Sequence, residues 1–213
     1  MSRTRAKRPR PAPRRDRAGS GRRRVGPQPA PQTAARGRRS QPVADAIVAW
    51  LIRRVDRTYR QGNWAGRGVL AAIADVPAEM AHWRPHPAQH TIAEMVLHMG
   101  YWKDAVTSRL RGRPWRFDEQ QNWPTLFPTA EAWEEAKAEL AAAHRRLRTA
   151  LRAVRAERLL ERPSANGGRM PTLVDLVVDI ATHDSYHAAQ IFVLKRLYLD
   201  RRRTGADRLR TDA

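Results

Sequence analysis

Along the chain after residue 42, apolar side chains recur every three or four positions, which is the period of an amphipathic helix. The first such stripe predicts a helix from Val43 to Tyr59, which Gly62 ends or kinks. A second apolar series follows at residues 64–76, before Pro77. It predicts either a continuation of the first helix or a short separate helix.

The start of the next helix is better marked. Thr91 and Glu94 form a Thr-x-x-Glu capping box, whose side chains satisfy free backbone N–H groups at a helix start. A helix is therefore predicted from Ile92 to Leu110, with one apolar stripe made by Ile92, Met95, Val96, Met99, Trp102, Val106 and Leu110. Residues 113–128 contain three prolines and two tryptophans and predict a long ordered loop.

Two further helices complete the pattern. An Ala-, Glu- and Arg-rich segment predicts a third helix from Ala130 to Val154, and the stretch ERPSANGGRMP then breaks the chain. Thr172 and Asp175 offer a weaker cap for a fourth helix, whose apolar stripe runs from Leu173 to Tyr198. No segment alternates with the period of a strand. The predicted fold is all-α, an antiparallel four-helix bundle over residues 43–200 followed by a basic C-terminal tail, 201–213.

Residues 1–42 predict a disordered Arg/Pro-rich tail. The first forty hold fourteen Lys and Arg residues, six prolines and one acid, Asp16, with too few large apolar side chains for a core. Such a tail can bind nucleic acid or another polyanion without a fold, because it neutralises phosphates. Two other readings stay open: an inert tail or translated upstream sequence of a GC-rich genome, and a targeting segment.

Composition removes several classes of chemistry. The chain has no cysteine, which excludes disulfides, a thiolate nucleophile and Cys-ligated zinc. Any metal must be held by His, Asp or Glu. No apolar run approaches the roughly 18 residues needed to cross a bilayer, and the N-terminus lacks the apolar region of a secretory signal. We therefore expect a cytoplasmic protein that does not enter membranes.

Histidines stand on two of the apolar stripes. His183 and His187 continue the buried series of the fourth helix, and His98 lies at the edge of the stripe of the second. An unpartnered buried imidazole costs on the order of a few kcal/mol. Side chains at i and i+4 are close enough for both to bind one metal ion, and a third imidazole from a facing helix leaves a coordination position open. The alternative is that these are hydrogen-bonded core histidines.

Other polar residues near this pattern are less distinctive. Asp179 and Gln190 are candidates to orient the metal ligands, because they lie four before His183 and three beyond His187. The alternative for each is an ordinary solvated or interfacial polar residue. Glu94 is assigned to its capping role. Tryptophans are expected to pack the bundle, and Trp102 could also wall the site. Four further histidines have no helical partner at ligand spacing and are interpreted as surface or loop residues: His82, His86, His90 and His144.

Two stretches, AHWRPHPAQHTIAEMVLHMGYW and THDSYHAAQIFVLKR, resemble the DinB-like superfamily over roughly residues 43–196. In similar proteins a helix-two histidine and an H-x-x-x-H pair bind a divalent metal, which maps onto His98, His183 and His187. Zinc suits three imidazoles, with nickel, iron and manganese as alternatives. Similar proteins often form homodimers, although no interface is evident in this chain.

The resemblance implies a range of activities, since relatives include transferases that use a low-molecular-weight thiol, thiol-dependent isomerases and suspected hydrolases. The leading hypothesis is a metal-dependent enzyme that activates a small thiol or water and acts on a small-molecule substrate. A second hypothesis is a non-catalytic metal-binding or stress-associated interaction protein. A third is polyanion binding through the basic tail. No residue is assigned as a general base.

Overall fold

The computed structural model describes residues 33–163 and 170–211, with side chains for 43–163 and 170–204. Its elements are, in chain order, α1 (Thr33–Arg60), β1 (Gly62–Asn63), β2 (Gly66–Arg67), α2 (Val69–Ile73), α3 (Ala78–His82), α4 (Ile92–Leu110), α5 (Glu119–Asn122), α6 (Ala130–Ala153), a 3₁₀ turn (Ala156–Leu160) and α7 (Leu173–Thr211). Helix α4 packs on α6 and α7, and α1 packs on α7 and α6. The all-α prediction is confirmed, and the antiparallel helix order stays a prediction.

Both predicted caps are present. The Thr91 hydroxyl accepts a hydrogen bond from the Glu94 backbone N–H at 3.1 Å, and the Glu94 carboxylate accepts one from the Thr91 N–H at 3.0 Å. At the start of α7, the Asp175 carboxylate accepts from the Thr172 N–H at 3.0 Å. These bonds fix the first turns of the two helices that carry all three candidate metal ligands.

The ends of the outer helices differ from the predicted bounds. Helix α1 begins at Thr33 rather than Val43, and α7 continues to Thr211 rather than ending near Tyr198. The apolar stripe stops at the predicted positions, and beyond it both helices continue through Ala- and Arg-rich sequence, in spite of Pro42 in α1 and Gly205 in α7. Residues 1–32 of the predicted disordered tail lie outside the described residues, so polyanion binding by that tail stays a prediction.

Of the two alternatives for residues 64–76, a short separate helix is confirmed as α2, Val69–Ile73, whereas the expectation of no strand was wrong for the residues before it. Strands β1 and β2 form a two-residue antiparallel hairpin that precedes α2. Gly62 has φ of 106°, and a Cβ at this position would lie 2.2 Å from the Gly66 carbonyl oxygen. Strands of two residues have no detectable period. Trp64 at the hairpin is 97% exposed and does not pack the core as expected.

A buried polar layer crosses the molecule between two apolar clusters. One cluster includes Met99, Leu140 and Ala188, and the other includes Val106, Leu147 and Ala181. On α4, α6 and α7, polar residues lie between these positions. At the centre of the layer, the Lys103 ammonium donates to both carboxylate oxygens of Asp184, at 2.6 and 2.5 Å, and both side chains are fully buried.

His144 belongs to this layer, so its assignment to the surface or a loop was wrong. It lies on α6 with 1% of its surface exposed, its ring stacks on Tyr59 at 3.9 Å, and its Nε2 lies 2.9 Å from an Asp56 carboxylate oxygen. Its spacing on α6, midway between Leu140 and Leu147, could have indicated a buried position.

Throughout the part of the chain that the structure describes, no helix combines the length and the hydropathy that a bilayer crossing requires.

Candidate metal centre

The three predicted ligands come together at one point. His98 on α4 and His183 and His187 on α7 place one ring nitrogen each within 4.8 Å of the other two. His183 is central: its Nε2 lies 3.0 Å from Nε2 of His98 and 3.1 Å from Nε2 of His187. Only the fold could join His98 to the pair, since 85 residues separate it from His183.

The outer nitrogens of two of these rings are held by hydrogen-bond acceptors. His98 Nδ1 lies 3.1 Å from the Asn122 backbone carbonyl oxygen, and His187 Nδ1 lies 2.6 Å from the Gln190 side-chain oxygen. An acceptor at Nδ1 requires the proton there. In the neutral form, Nε2 of both rings therefore carries a lone pair directed at the third imidazole.

A metal-free cluster cannot satisfy these nitrogens. A proton on His183 Nε2 can be donated to only one of the two neighbours, which leaves the Nε2 lone pair of the other neighbour without a donor. The Nδ1 atom of His183 is buried without a hydrogen-bond partner among the described residues. Three imidazole nitrogens bound to one ion at about 2.1 Å in tetrahedral geometry would lie roughly 3.4 Å apart. The observed 3.0 and 3.1 Å are close to that spacing, so the donor set fits a divalent cation.

Electrostatics favour the neutral, ligating form of all three rings. Burial is the largest cause that lowers each pKa below the ordinary value of 6.5, and neighbouring imidazoles lower it further. The pKa of His187 falls to about 4, and that of His183 falls further. Protons therefore do not compete for these nitrogens near neutral pH.

These shifts predict that the metal-free protein loses stability as the pH falls from about 6.5 to about 4. In that window the unfolded chain, whose histidines have ordinary pKa values, binds protons that the folded chain does not. The expected contribution of His187 is about 3 kcal/mol, from its pKa of about 4. Urea denaturation of chelator-treated protein at pH 7 and pH 4.5 measures this loss. It should be smaller in the His183→Ala/His187→Ala variant, and equal losses would contradict the assignment.

An aromatic wall covers one side of the cluster. The Trp123 indole lies between two imidazoles, stacked on His98 at 3.7 Å and on His90 at 3.6 Å, with interplanar angles of 8° and 6°. Trp102 meets His98 edge-on at 6.3 Å, as its expected role as a wall requires. The role of Trp123 was missed because it lies in the stretch interpreted as a loop, where periodicity carries no information.

Short helix α5 explains how that loop supports the site. The Asp118 carboxylate caps α5 by accepting from the Gln120 and Gln121 N–H groups, and the Asp118 N–H donates to the Tyr101 hydroxyl at 2.9 Å. This fixes α5 against α4 and presents the carbonyl of Asn122 to His98. No sequence motif marks a backbone carbonyl as a hydrogen-bond partner.

The two predicted orienting residues have different outcomes. Gln190 contacts His187 as expected. Asp179 is exposed and, within the described part of the chain, has no hydrogen bond to His183, as its alternative role of a solvated polar residue predicts. Glu94 serves the helix cap. His82, His86 and His90 stay outside the cluster of three, although His90 touches its wall through Trp123.

Comparisons with known proteins agree with this geometry. A family model described as the DinB superfamily matches residues 61–191, which is more than half of the chain and includes all three histidines. Neither the curated proteins nor the solved structures that were compared gave a match. The chain belongs to the DinB superfamily.

Proposed function

We propose that His98, His183 and His187 bind one divalent metal ion, with zinc favoured, and that the protein is an enzyme that activates water or a small thiol. One observation carries the proposal: the His183 nitrogen lies within hydrogen-bond distance of the ring nitrogens of His98 and His187, and those two rings have their other nitrogen committed to an acceptor. Hydrolysis or thiol transfer on a small molecule is the class of reaction this supports.

The chemistry of the ion supports that class. A divalent ion held by three neutral ligands keeps its full positive charge and lowers the pKa of a bound water or thiol. The chain's own residues hold the ligands in place: Asn122 and Trp123 fix His98, and Gln190 fixes His187. Among the described residues that hydrogen-bond to the three rings or stack on them, none is a carboxylate, so no general base is assigned.

The burial of the histidine side chains favours a second candidate function, a non-catalytic metal-binding protein. His98 and His187 are only 7% and 5% exposed, and Trp123 lies directly on His98. A closed site of this kind could hold metal for stability or for interaction with a partner. The two candidates differ in whether a small molecule reaches the ion.

The full chain, purified and analysed for metal, tests both. We expect about one equivalent of zinc after reconstitution, and a cobalt-substituted protein whose visible spectrum changes on adding 2-mercaptoethanol. A cobalt spectrum that no thiol, azide or hydroxide perturbs would favour the non-catalytic candidate. Failure of the folded protein to bind any divalent ion would overturn the proposal.

A further inference from the structure

A groove of about 460 Å³ lies beside the histidine cluster, between residues 88–90 and one face of α7. This volume is within the range of small-molecule sites, roughly 300–1,000 Å³. Side chains at i, i+4, i+7 and i+11 of α7 form one side: Tyr186, Gln190, Val193 and Leu197. Met95 of α4 and His90 line it from the opposite side.

Two contacts link the groove to the candidate metal ligands. Gln190 lines the groove and also accepts the hydrogen bond from His187. His90 lines it and stacks on Trp123, which stacks in turn on His98. Tyr186 also lines the groove, and its ring centroid lies 5.1 Å from that of His187. A lining residue of the groove therefore contacts His187 directly, and another is connected to His98 through Trp123.

The lining is unusual for this chain because it contains no lysine, arginine or carboxylate. Lys and Arg make up 41 of the 213 residues, nearly one in five. A neighbouring groove, which shares Ala189 and Val193 of α7 with this one, is also lined by Arg67 and Arg196 and suits an anion instead. The exposed apolar side chains of the uncharged groove, Val193 at 53% and Leu197 at 46%, match an apolar, uncharged occupant.

We propose that this groove binds the apolar, uncharged body of a small molecule whose polar end reaches the histidine cluster. The inference rests on the proposed metal site and adds a substrate class to it: compounds with an aliphatic or aromatic portion, rather than charged metabolites. Gln190 would then both orient His187 and contact the ligand.

Linear alkanethiols of three to six carbons, titrated into the cobalt-substituted full chain, test the proposal. We expect the affinity measured from the visible spectrum to rise about fourfold for each added CH₂ that enters the groove, the factor for transferring one methylene from water. An affinity independent of chain length would overturn the inference.

The chain offers a matched control. Leu197 lines the groove and Leu199 does not, yet both lie on α7 and both are 46% exposed. Leu197→Glu is expected to abolish the dependence on chain length, and Leu199→Glu to leave it unchanged. Identical behaviour of the two variants would overturn the proposal. The proposal would also be overturned if sedimentation showed that Leu197→Glu converts a dimer to a monomer and ligand binding did not change. The groove would then be a contact between two copies of the chain.

A dye-binding measurement that needs no metal tests this inference separately from the proposed function. If the protein takes up no cobalt, the proposed function fails, but the groove can still be tested with the uncharged dye prodan. We expect a blue shift of its emission with wild type and Leu199→Glu and none with Leu197→Glu. No shift with wild type would overturn the groove as a binding site.

Discussion

Replacing both His183 and His187 by alanine is expected to abolish stoichiometric metal binding and to leave the helical content unchanged. The variant keeps only His98 of the three converging nitrogens. Loss of residues that merely orient ligands costs about 10–100-fold in metal affinity, so the loss of two ligands should exceed about a hundredfold. Alanine favours the helix, and the substitution removes the buried His183 Nδ1, which has no hydrogen-bond partner among the described residues.

Elemental analysis and calorimetric zinc titration measure the affinity, and circular dichroism confirms the fold. His86→Ala is the matched control, because His86 is exposed and lies outside the cluster. One equivalent of zinc retained by a folded double variant would exclude these residues as ligands. An unfolded double variant would be resolved by His98→Ala, which removes a ligand from the other helix and should also lose the metal.

Replacing Lys103 by methionine is expected to lower the free energy of unfolding by about 3–5 kcal/mol, the cost of removing one partner of a buried ion pair. Asp184 is fully buried, and both of its oxygens accept from Lys103. Burial raises the pKa of the Asp184 carboxyl, and Lys103 opposes that effect. Without Lys103, the carboxyl must either stay charged with no partner or bind a proton.

The pH dependence and a double variant test the cause. With the folded-state pKa of Asp184 raised above its unfolded value, the loss should be small at low pH and grow as the pH rises above about 4. Lys103→Met/Asp184→Leu should recover most of the stability, since apolar replacement of a whole buried pair is often neutral or stabilising. Urea denaturation at pH 4 and pH 7 measures both effects. A double variant as unstable as the single one would show that lost packing, not the uncompensated charge, is responsible.

The same pair joins the two helices that supply the metal ligands. Lys103 is on α4 with His98, and Asp184 is next to His183 on α7. A stable double variant that binds zinc more weakly than wild type would indicate that the ion pair also sets the position of α4 against α7.

Much of the fold and the identity of the three candidate ligands could be predicted from the sequence, because both depend on local periodicity. The capping box at Thr91 and the apolar stripe set α4 within one chain segment, and the same period put His183 and His187 on the buried face of α7. The helix ends at Thr33 and Thr211 were not predicted, because the apolar stripes stop earlier and because Pro42 in α1 and Gly205 in α7 are residues that disfavour a helix interior.

What surrounds the histidines was decided only by the tertiary structure. The Asn122 carbonyl is 24 residues from His98, and Lys103 is 81 residues from Asp184. Such contacts depend on how separate helices pack, and no period within one segment encodes them. The sequence determined an all-α chain with three imidazoles on buried helix faces. Packing decided that their nitrogens converge, that Trp123 stacks on His98, and that an uncharged groove lies beside the cluster.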